Sequence, residues 1–524
     1  MGITSTTTTC CLIVVPLVLL WGWKILNWLW LRPKRQEKVL RAQGLQGNPY
    51  KVLVGDTKEM IKLMMENAKS PIFTNSLSDD KDVTPHVFTF IHHIFHKFGK
   101  NSFLWEGPNA KVIITNPDQI KEIFNNMHDF VKPKLSPLFK LLGTGLANYE
   151  GEQWRIHRKI ISPAFYSEKL KIMSPIFSQC CDEMISKWEE MSSDGKFEID
   201  VRPFVQTLTC DVISRTAFGS SYEEGKRIFE LIKEQAKLIM ILRNFYIPGW
   251  RYLPTTTHRR MTKIDKDMQA SLRAIINKRK KAMMDGEVLN NDLLGILLES
   301  NKKEIQENGN NKNVGMSDQE VLEECNAFYL GGQETTSVLV VWTMILLSRY
   351  PNWQARAREE VLQVFGNQMP NNDGISRLKI VSIVTMILYE VLRLYPPTIY
   401  FNRVARKDVK LGNIFLPAGV HVSLPILLIH HNRDIWGDDA TEFNPERFSQ
   451  GIAKATKGQV IFFPFGYGPR VCPGQNFALL QAKIILSQIL QRFSFELSPT
   501  YVHAPTTVFT LNPKHGAHII FHKL

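Results

Sequence analysis

The sequence has no C-x-x-C pair. Its seven cysteines (Cys10, Cys11, Cys180, Cys181, Cys210, Cys325 and Cys472) are odd in number and scattered. That argues against a disulfide framework and for a reducing compartment. Zinc-finger spacing and arginine-rich tracts are missing too. The excess of 64 Lys and Arg over 50 Asp and Glu therefore carries no nucleic-acid signature, and an anionic membrane or an acidic partner fits it better. No Gly/Ser linker, internal repeat or composition break divides the 524 residues, so one large domain is expected despite the length. Beyond residues 10–31 there is no second long apolar run, which limits any membrane anchor to a single pass.

Residues 10–31 are mostly apolar. As a helix they reach about 33 Å, enough for a bilayer core. Lys24 and Asn27 interrupt the run toward one end, where a lysine snorkels. Trp21, Trp23, Trp28 and Trp30 suit an interfacial belt. The alternative, a cleaved signal peptide, lacks a small-x-small site, and the flank is Arg32-Pro33-Lys34-Arg35. Residues 1–36 are read as the anchor with a basic stop-transfer flank, and 37–524 as a cytosolic body, the N-terminus being lumenal.

Along the body, 41–50 holds turn residues, Val112-Ile113-Ile114 reads as a strand ended by Asn116-Pro117, and Asp118 to Met127 reads as a helix. Residues 170–305 are helix-rich, with a loop at Pro248-Gly249-Trp250. Lys278 to Lys281 reads as a solvated helix face and Glu307 to Gly315 as an exposed loop. Ser317-Asp318-Gln319-Glu320 is a capping box for a long apolar helix. Tyr501 to Gly516 reads as a β-hairpin.

Four stretches carry chemistry. In Phe465-Gly466-Tyr467-Gly468-Pro469-Arg470-Val471-Cys472-Pro473-Gly474, the glycines Gly468 and Gly474 give backbone freedom and the prolines fix dihedrals. Cys472 precedes a helix N-terminus, which favours a thiolate, and Arg470 adds a cation. The bland alternative is a small buried hydrophobe. Trp154 and Arg158 lie four apart on a helix, so an indole N–H and a guanidinium can donate to one carboxylate; His157 between them reads as a solvated helix residue. Gly331-Gly332-Gln333-Glu334-Thr335-Thr336 places two glycines inside a helix at a cost of about 1 kcal/mol each. That suggests a close backbone approach or a bulge, with a carboxylate beside two hydroxyls to relay protons; a kinked core helix is the alternative. Glu390 and Arg393 are spaced to pair on one helix face, among apolar neighbours that favour burial.

These stretches resemble the motifs of the cytochrome P-450 superfamily, the heme-thiolate monooxygenases, in order and spacing over nearly the whole chain. The resemblance implies a mainly α fold with small β-sheets, a single large heme domain behind an N-terminal transmembrane helix. It makes Cys472 the axial ligand of heme b iron within a loop that includes Phe465, Gly468 and Gly474. Trp154, Arg158, Arg403 and Arg470 become propionate contacts, and Glu334 and Thr335 the acid–alcohol pair that delivers protons. Glu390, Arg393 and Arg447, the last in Pro445-Glu446-Arg447-Phe448, become a structural ion network.

Two features stand apart from that pattern. Gly331 occupies a place where alanine is commoner. The repeat in Lys379-Ile380-Val381-Ser382-Ile383-Val384-Thr385 adds about three residues, a rotation of roughly 300° on a helix, to be absorbed before Glu390 or else to disturb the network.

Gln43 to Gly47, Gly332 to Thr336, Leu428 to His431, and Ser494 to Tyr501 resemble the plant family that includes secologanin synthase and the legume triterpenoid oxidases. The implied reaction is NADPH- and O2-dependent oxidation of an apolar metabolite, an oleanane-type triterpenoid first, an iridoid or gibberellin-like diterpenoid second. The implied setting is the endoplasmic reticulum membrane, with a NADPH-cytochrome reductase, the lipid bilayer and a small apolar substrate as partners, and no nucleic acid. Lys159, Lys454, Lys457 and Arg155 are candidates for docking the reductase. The expected substrate contacts lie at 135–142, 240–255, 327–335, 398–402 and 506–511. Isomerase-type chemistry without a reductase is disfavoured by Glu334-Thr335; a heme-binding sensor or scaffold is the non-enzyme alternative.

Overall fold

The computed structural model describes residues 15–69, 82–143, 145–191, 195–219, 222–242, 255–286, 292–309, 314–370, 374, 382–507 and 509–524. The start of the expected anchor, the Pro248 loop, most of the 240–255 contact region and part of the Ile-Val repeat lie outside them. The chain divides into two compact units.

The first unit combines 1–71, 82–133 and 400–429. Residues 15–26 are helical and run through a π-helical turn, Asn27–Leu31, into the helix Arg32–Ala42. Val18, Leu19, Trp21 and Trp23 are exposed on it. Tyr50 Oη donates to Leu29 O at 2.7 Å, and Arg32 Nη2 to Gly419 O at 3.0 Å. A five-stranded sheet orders Phe103–Glu106, Asn109–Ile113, His421–Pro425, Tyr400–Ala405 and Phe130–Val131. The expected strand at 112–114 is its second member. Asn116 then caps the helix Pro117–Asn125, its side chain accepting from Asp118 N and Gln119 N. Arg403 stands on the Tyr400–Ala405 strand, 6% exposed, its guanidinium 5.8 Å over the Phe124 ring and its Nη1 donating to Asn402 O at 2.8 Å.

The second unit holds the helices that carry the motifs: α1 (Gly151–Ile161), α2 (Val201–Phe218), α3 (Asp318–Arg349), α4 (Pro351–Phe365), α5 (Ile383–Leu394) and α6 (Gln475–Arg492). α3 opens on the expected capping box, Ser317 with Glu320. It is the described helix long and apolar enough to cross a membrane, but 67% of its apolar window is buried, so it is the core of this unit. From Thr336 to Ser348 every side chain is buried, and each large aliphatic one contributes about 1.5–3 kcal/mol.

The glycine pair in α3 has a packing cause. A Cβ on Gly332 would lie 2.3 Å from Ile213 Cδ1 of α2, so the close approach is real and the helix runs through it without a bulge. Gly331 faces the other way, and a Cβ there would meet nothing within 4 Å.

α5 begins at a doubly fixed point. Ser382 caps it by accepting from Thr385 N, and the Glu360 carboxylate of α4 accepts from Ile383 N at 2.9 Å and Val384 N at 3.0 Å. Glu390 on this helix still reaches both Arg393 and Arg447, so the repeat does not disturb the ion network.

The C-terminal strand His518–Lys523 lies between Lys196–Asp200 and Phe493–Leu497, antiparallel to both. Phe197 and Phe521 stack at 5.2 Å, with Trp188 4.9 Å from Phe521. The expected hairpin pairs Pro505–Thr507 with Leu511–Pro513.

Candidate active site

α1 sets the first part of the site. Its residues at positions i and i+4, Trp154 and Arg158, both turn toward the cysteine loop. The Arg470 guanidinium lies 4.5 Å over the Trp154 ring, and Arg158 Nη1 donates to Val471 O at 2.8 Å. Arg470 is itself engaged, pairing with Glu150 at 2.8 Å and donating to Tyr149 O at 2.9 Å.

His157 is not solvated as the sequence suggested. It is 1% exposed, its Nδ1 2.6 Å from Glu324 Oε1 of α3 and its ring edge-on to Tyr149 at 4.5 Å. It faces α3 because it lies one residue before Arg158, about 100° around the helix. Nothing in a heptad-like pattern marks it: the buried carboxylate that receives it is 167 residues away. Burial pushes the Glu324 carboxyl up, against the His157 hydrogen bond.

The cysteine loop closes on itself, Cys472 N donating to Phe465 O at 2.9 Å. Its left-handed positions are Gly466 (φ 77°) and Gly468 (φ 69°). Gly474 has φ −86°, which any residue adopts, so its expected conformational freedom is unused; a Cβ there would lie 3.7 Å from Phe165 and 3.9 Å from Cys472 Sγ. Cys180, Cys181, Cys210 and Cys325 are buried, whereas Cys472 is exposed. Burial by the surrounding protein nevertheless pushes its thiol up, opposed by the Gly474 N–H and by the charge of Arg158. A metal cation at Sγ would favour the thiolate further.

Glu334 and Thr335 stand in α3 one turn beyond Gly331. Thr335 Oγ1 donates to Gly331 O at 2.7 Å, and Glu334 Oε1 accepts from Thr510 Oγ1 at 2.9 Å and Asn512 Nδ2 at 3.0 Å. Thr510 lies in the expected contact stretch 506–511, whereas Asn512 is a site neighbour that the sequence did not single out, since the hairpin reaches α3 only in three dimensions.

Behind the loop, Glu390 and Arg393 are both fully buried and doubly bonded, at 2.7 and 2.8 Å. Arg393 also donates to the carbonyls of His430 at 2.8 Å, Glu442 at 3.1 Å and Ala440. Arg447 Nε reaches Glu390 at 3.4 Å, and its Nη2 pairs with Asp439 at 2.6 Å. His430 links this network onward: Nδ1 lies 3.1 Å from Arg393 O, and Nε2 accepts from Phe463 N at 3.4 Å. Burial and Arg393 push its pKa well below the usual value, so it is neutral. Of the proposed docking cations, Arg155 pairs with Glu152 and Lys159 with Glu304 at 2.6 Å.

The donor set fits heme. A single cysteine supplies one ligand, so a metal at Sγ must bring the others with it, as a porphyrin iron does; among the described residues no group of three or more His, Cys, Asp or Glu is suited to a bare metal ion. Gly331, with empty space over its Cα, leaves room beside α3.

Comparison with known proteins agrees with this reading. The family described as Cytochrome P450 matches residues 67–520. An 11-oxo-beta-amyrin 30-oxidase from Glycyrrhiza uralensis is 61% identical over 527 residues, covering 99% of each chain. One of the same name from Medicago truncatula is 59% identical over 526 residues, again 99% of each. Cytochrome P450 72A397 from Kalopanax septemlobus is 58% identical over 506 residues, 96% of each. With its reachable cysteine in a closed loop, and with that match over most of its length, the chain belongs to the cytochrome P450 family and is a heme-thiolate monooxygenase supplied with electrons by a redox partner.

Proposed function

We propose that this enzyme oxidises a C–H bond of an oleanane-type pentacyclic triterpenoid. The support is the full-length likeness to two relatives named as 11-oxo-beta-amyrin oxidases. An iridoid or a gibberellin-like diterpenoid is the second choice of substrate.

Cys472 is the axial ligand in this reading, and the observation that carries it is an exposed thiol in a loop closed by Cys472 N donating to Phe465 O. When bound, heme supplies the activation of dioxygen. The chain supplies the rest. Arg158 holds the loop at Val471 O and places positive charge near Sγ. Trp154, Arg158, Arg403 and Arg470 are the propionate contacts. Glu334 hands on protons, with Thr335 as its hydroxyl partner. The Glu390–Arg393–Arg447 network keeps the loop's support rigid.

Residues 1–36 serve as a single-pass anchor in the endoplasmic reticulum membrane, with the remainder in the cytosol; the exposed Leu19, Trp21 and Trp23 favour lipid contact. Electrons come from a NADPH-cytochrome reductase in the same membrane. Its docking cations are Lys454 and Lys457, since Arg155 and Lys159 already have carboxylate partners.

The test is a reduced carbon monoxide difference spectrum on microsomes holding the full chain, followed by feeding 11-oxo-β-amyrin with reductase and NADPH. A thiolate-type band and an oxygenated triterpenoid are expected. A band of the non-thiolate type would overturn Cys472 as ligand. A thiolate band with product only from loganin or a diterpenoid would overturn the substrate.

A further inference from the structure

The hydrogen bonds at Glu334 have a direction. Asn512 Nδ2 donates both to Glu334 Oε1 at 3.0 Å and to Thr510 Oγ1 at 2.8 Å. The Thr510 hydroxyl, accepting from Asn512, sends its own proton to Glu334 Oε1 at 2.9 Å. Two donors thus converge on one carboxyl oxygen. Oε1 is thereby engaged as an acceptor. Thr510 and Asn512 are 5% and 3% exposed, so water does not replace them easily.

The donors are also fixed in space. Trp342 Nε1, about two turns along α3 from Glu334, donates to Leu511 O at 2.6 Å, and Leu511 N donates to Pro397 O at 3.2 Å. Thr506, across the hairpin from Asn512, belongs to the same stretch as the expected substrate contacts.

We propose that Thr510 and Asn512 are positioning residues for the Glu334 carboxyl: the C-terminal hairpin sets the orientation from which Glu334 passes its proton, and so ties proton supply to what the hairpin touches. This rests on Glu334 as the proton donor. Coupled turnover is RH + O2 + NADPH + H⁺ → ROH + H2O + NADP⁺. With the proton misdirected, the same two electrons leave as peroxide, O2 + NADPH + H⁺ → H2O2 + NADP⁺, and RH is unchanged.

The experiment uses full-length holoenzyme with reductase and 11-oxo-β-amyrin. Peroxide and product per NADPH are measured for Thr510→Val, Thr510→Ser, Asn512→Leu, Glu334→Ala and the Asn512→Leu/Glu334→Ala double variant. Thr510→Val and Asn512→Leu should raise the peroxide-to-product ratio by about tenfold. Thr510→Ser, which keeps the hydroxyl, should match the wild type. The double variant should be no worse than Glu334→Ala alone. Substrate titration of Asn512→Leu, at a position outside the expected substrate-contact stretch, should show binding unchanged within about twofold, which loss of a merely structural contact would not spare. Thermal unfolding of the wild type, Asn512→Leu, Glu334→Ala and their double variant should show non-additive midpoints. Additive effects, or normal coupling in Thr510→Val, would overturn the proposal. If the wild type itself makes no product, the reading of the reaction fails separately, and the unfolding cycle alone decides: coupled midpoints support the contact, additive ones end it.

Discussion

Arg158 Nη1 donates to Val471 O at 2.8 Å, one residue before Cys472. The bond joins a helix at 151–161 to the cysteine loop more than 300 residues later, and its charge also favours the ionised sulfur. A hydrogen bond to a charged donor contributes about 1.5–3 kcal/mol. Arg158→Ala should therefore lower heme retention and move part of the carbon monoxide spectrum to the non-thiolate form. Arg158→Lys should restore the charge but only part of the loop geometry. A wild-type spectrum in Arg158→Ala would show that the loop is held elsewhere.

Arg393 is fully buried with five hydrogen bonds to Glu390 and three backbone carbonyls. Removing one partner of such a pair costs about 3–5 kcal/mol, because the other charge is left uncompensated. Arg393→Leu should give little folded holoprotein. Glu390→Gln, which keeps the acceptor oxygen, should fold better, as read from expression and the midpoint of unfolding. Equal yields for the two variants would contradict this.

Gly332 and Gly331 should respond oppositely to the same methyl group. Gly332→Ala drives a Cβ to 2.3 Å from Ile213 Cδ1, an overpacking cost of about 1–3 kcal/mol. Ile213→Ala should rescue it in the double variant. Gly331→Ala meets open space in the chain itself and gains helix propensity of about 1 kcal/mol, so its unfolding midpoint should rise or hold. Its effect should appear instead as weaker binding of a bulky substrate, measured by titration.

Acid should destabilise the folded chain through its buried histidines. His430 lies well below its ordinary value of 6.5, and His421 and His503 are lowered to about 4, each chiefly by burial. Below pH 6.5 the unfolded chain takes up these protons while the folded chain refuses them. Stability is full above pH 6.5 and declines as pH falls toward the folded values, by about 1.4 kcal/mol per pH unit for each histidine. Chemical denaturation at pH 7.5, 6 and 5 should show this slope, and His503→Asn should flatten it by about one proton. A flat profile from pH 7.5 to 5 would refute it.

Local rules made much of the chain legible. The Ser317 capping box, the Asn116–Pro117 helix start and the C-terminal hairpin all depend on residues within a few positions of one another, so they can be read without the fold. Cys472 was legible for a related reason: a tight turn needs its glycines and prolines adjacent. His157 misled because helix periodicity does not say which face meets a buried acid. Gly474 misled because a glycine in a turn motif need not be the one with positive φ.

The sequence by itself determined many of the elements, the order of the motifs and the cysteine loop, since these follow from propensity, capping and turn chemistry. Only the tertiary structure decided which distant groups share a proton or a charge. Glu334 finds Thr510 and Asn512, His157 finds Glu324, and Arg393 finds the carbonyls at 430–442. The physical reason is burial. A polar group removed from water must be satisfied by whatever packing brings near, and packing is set by the whole core rather than by its neighbours in the chain.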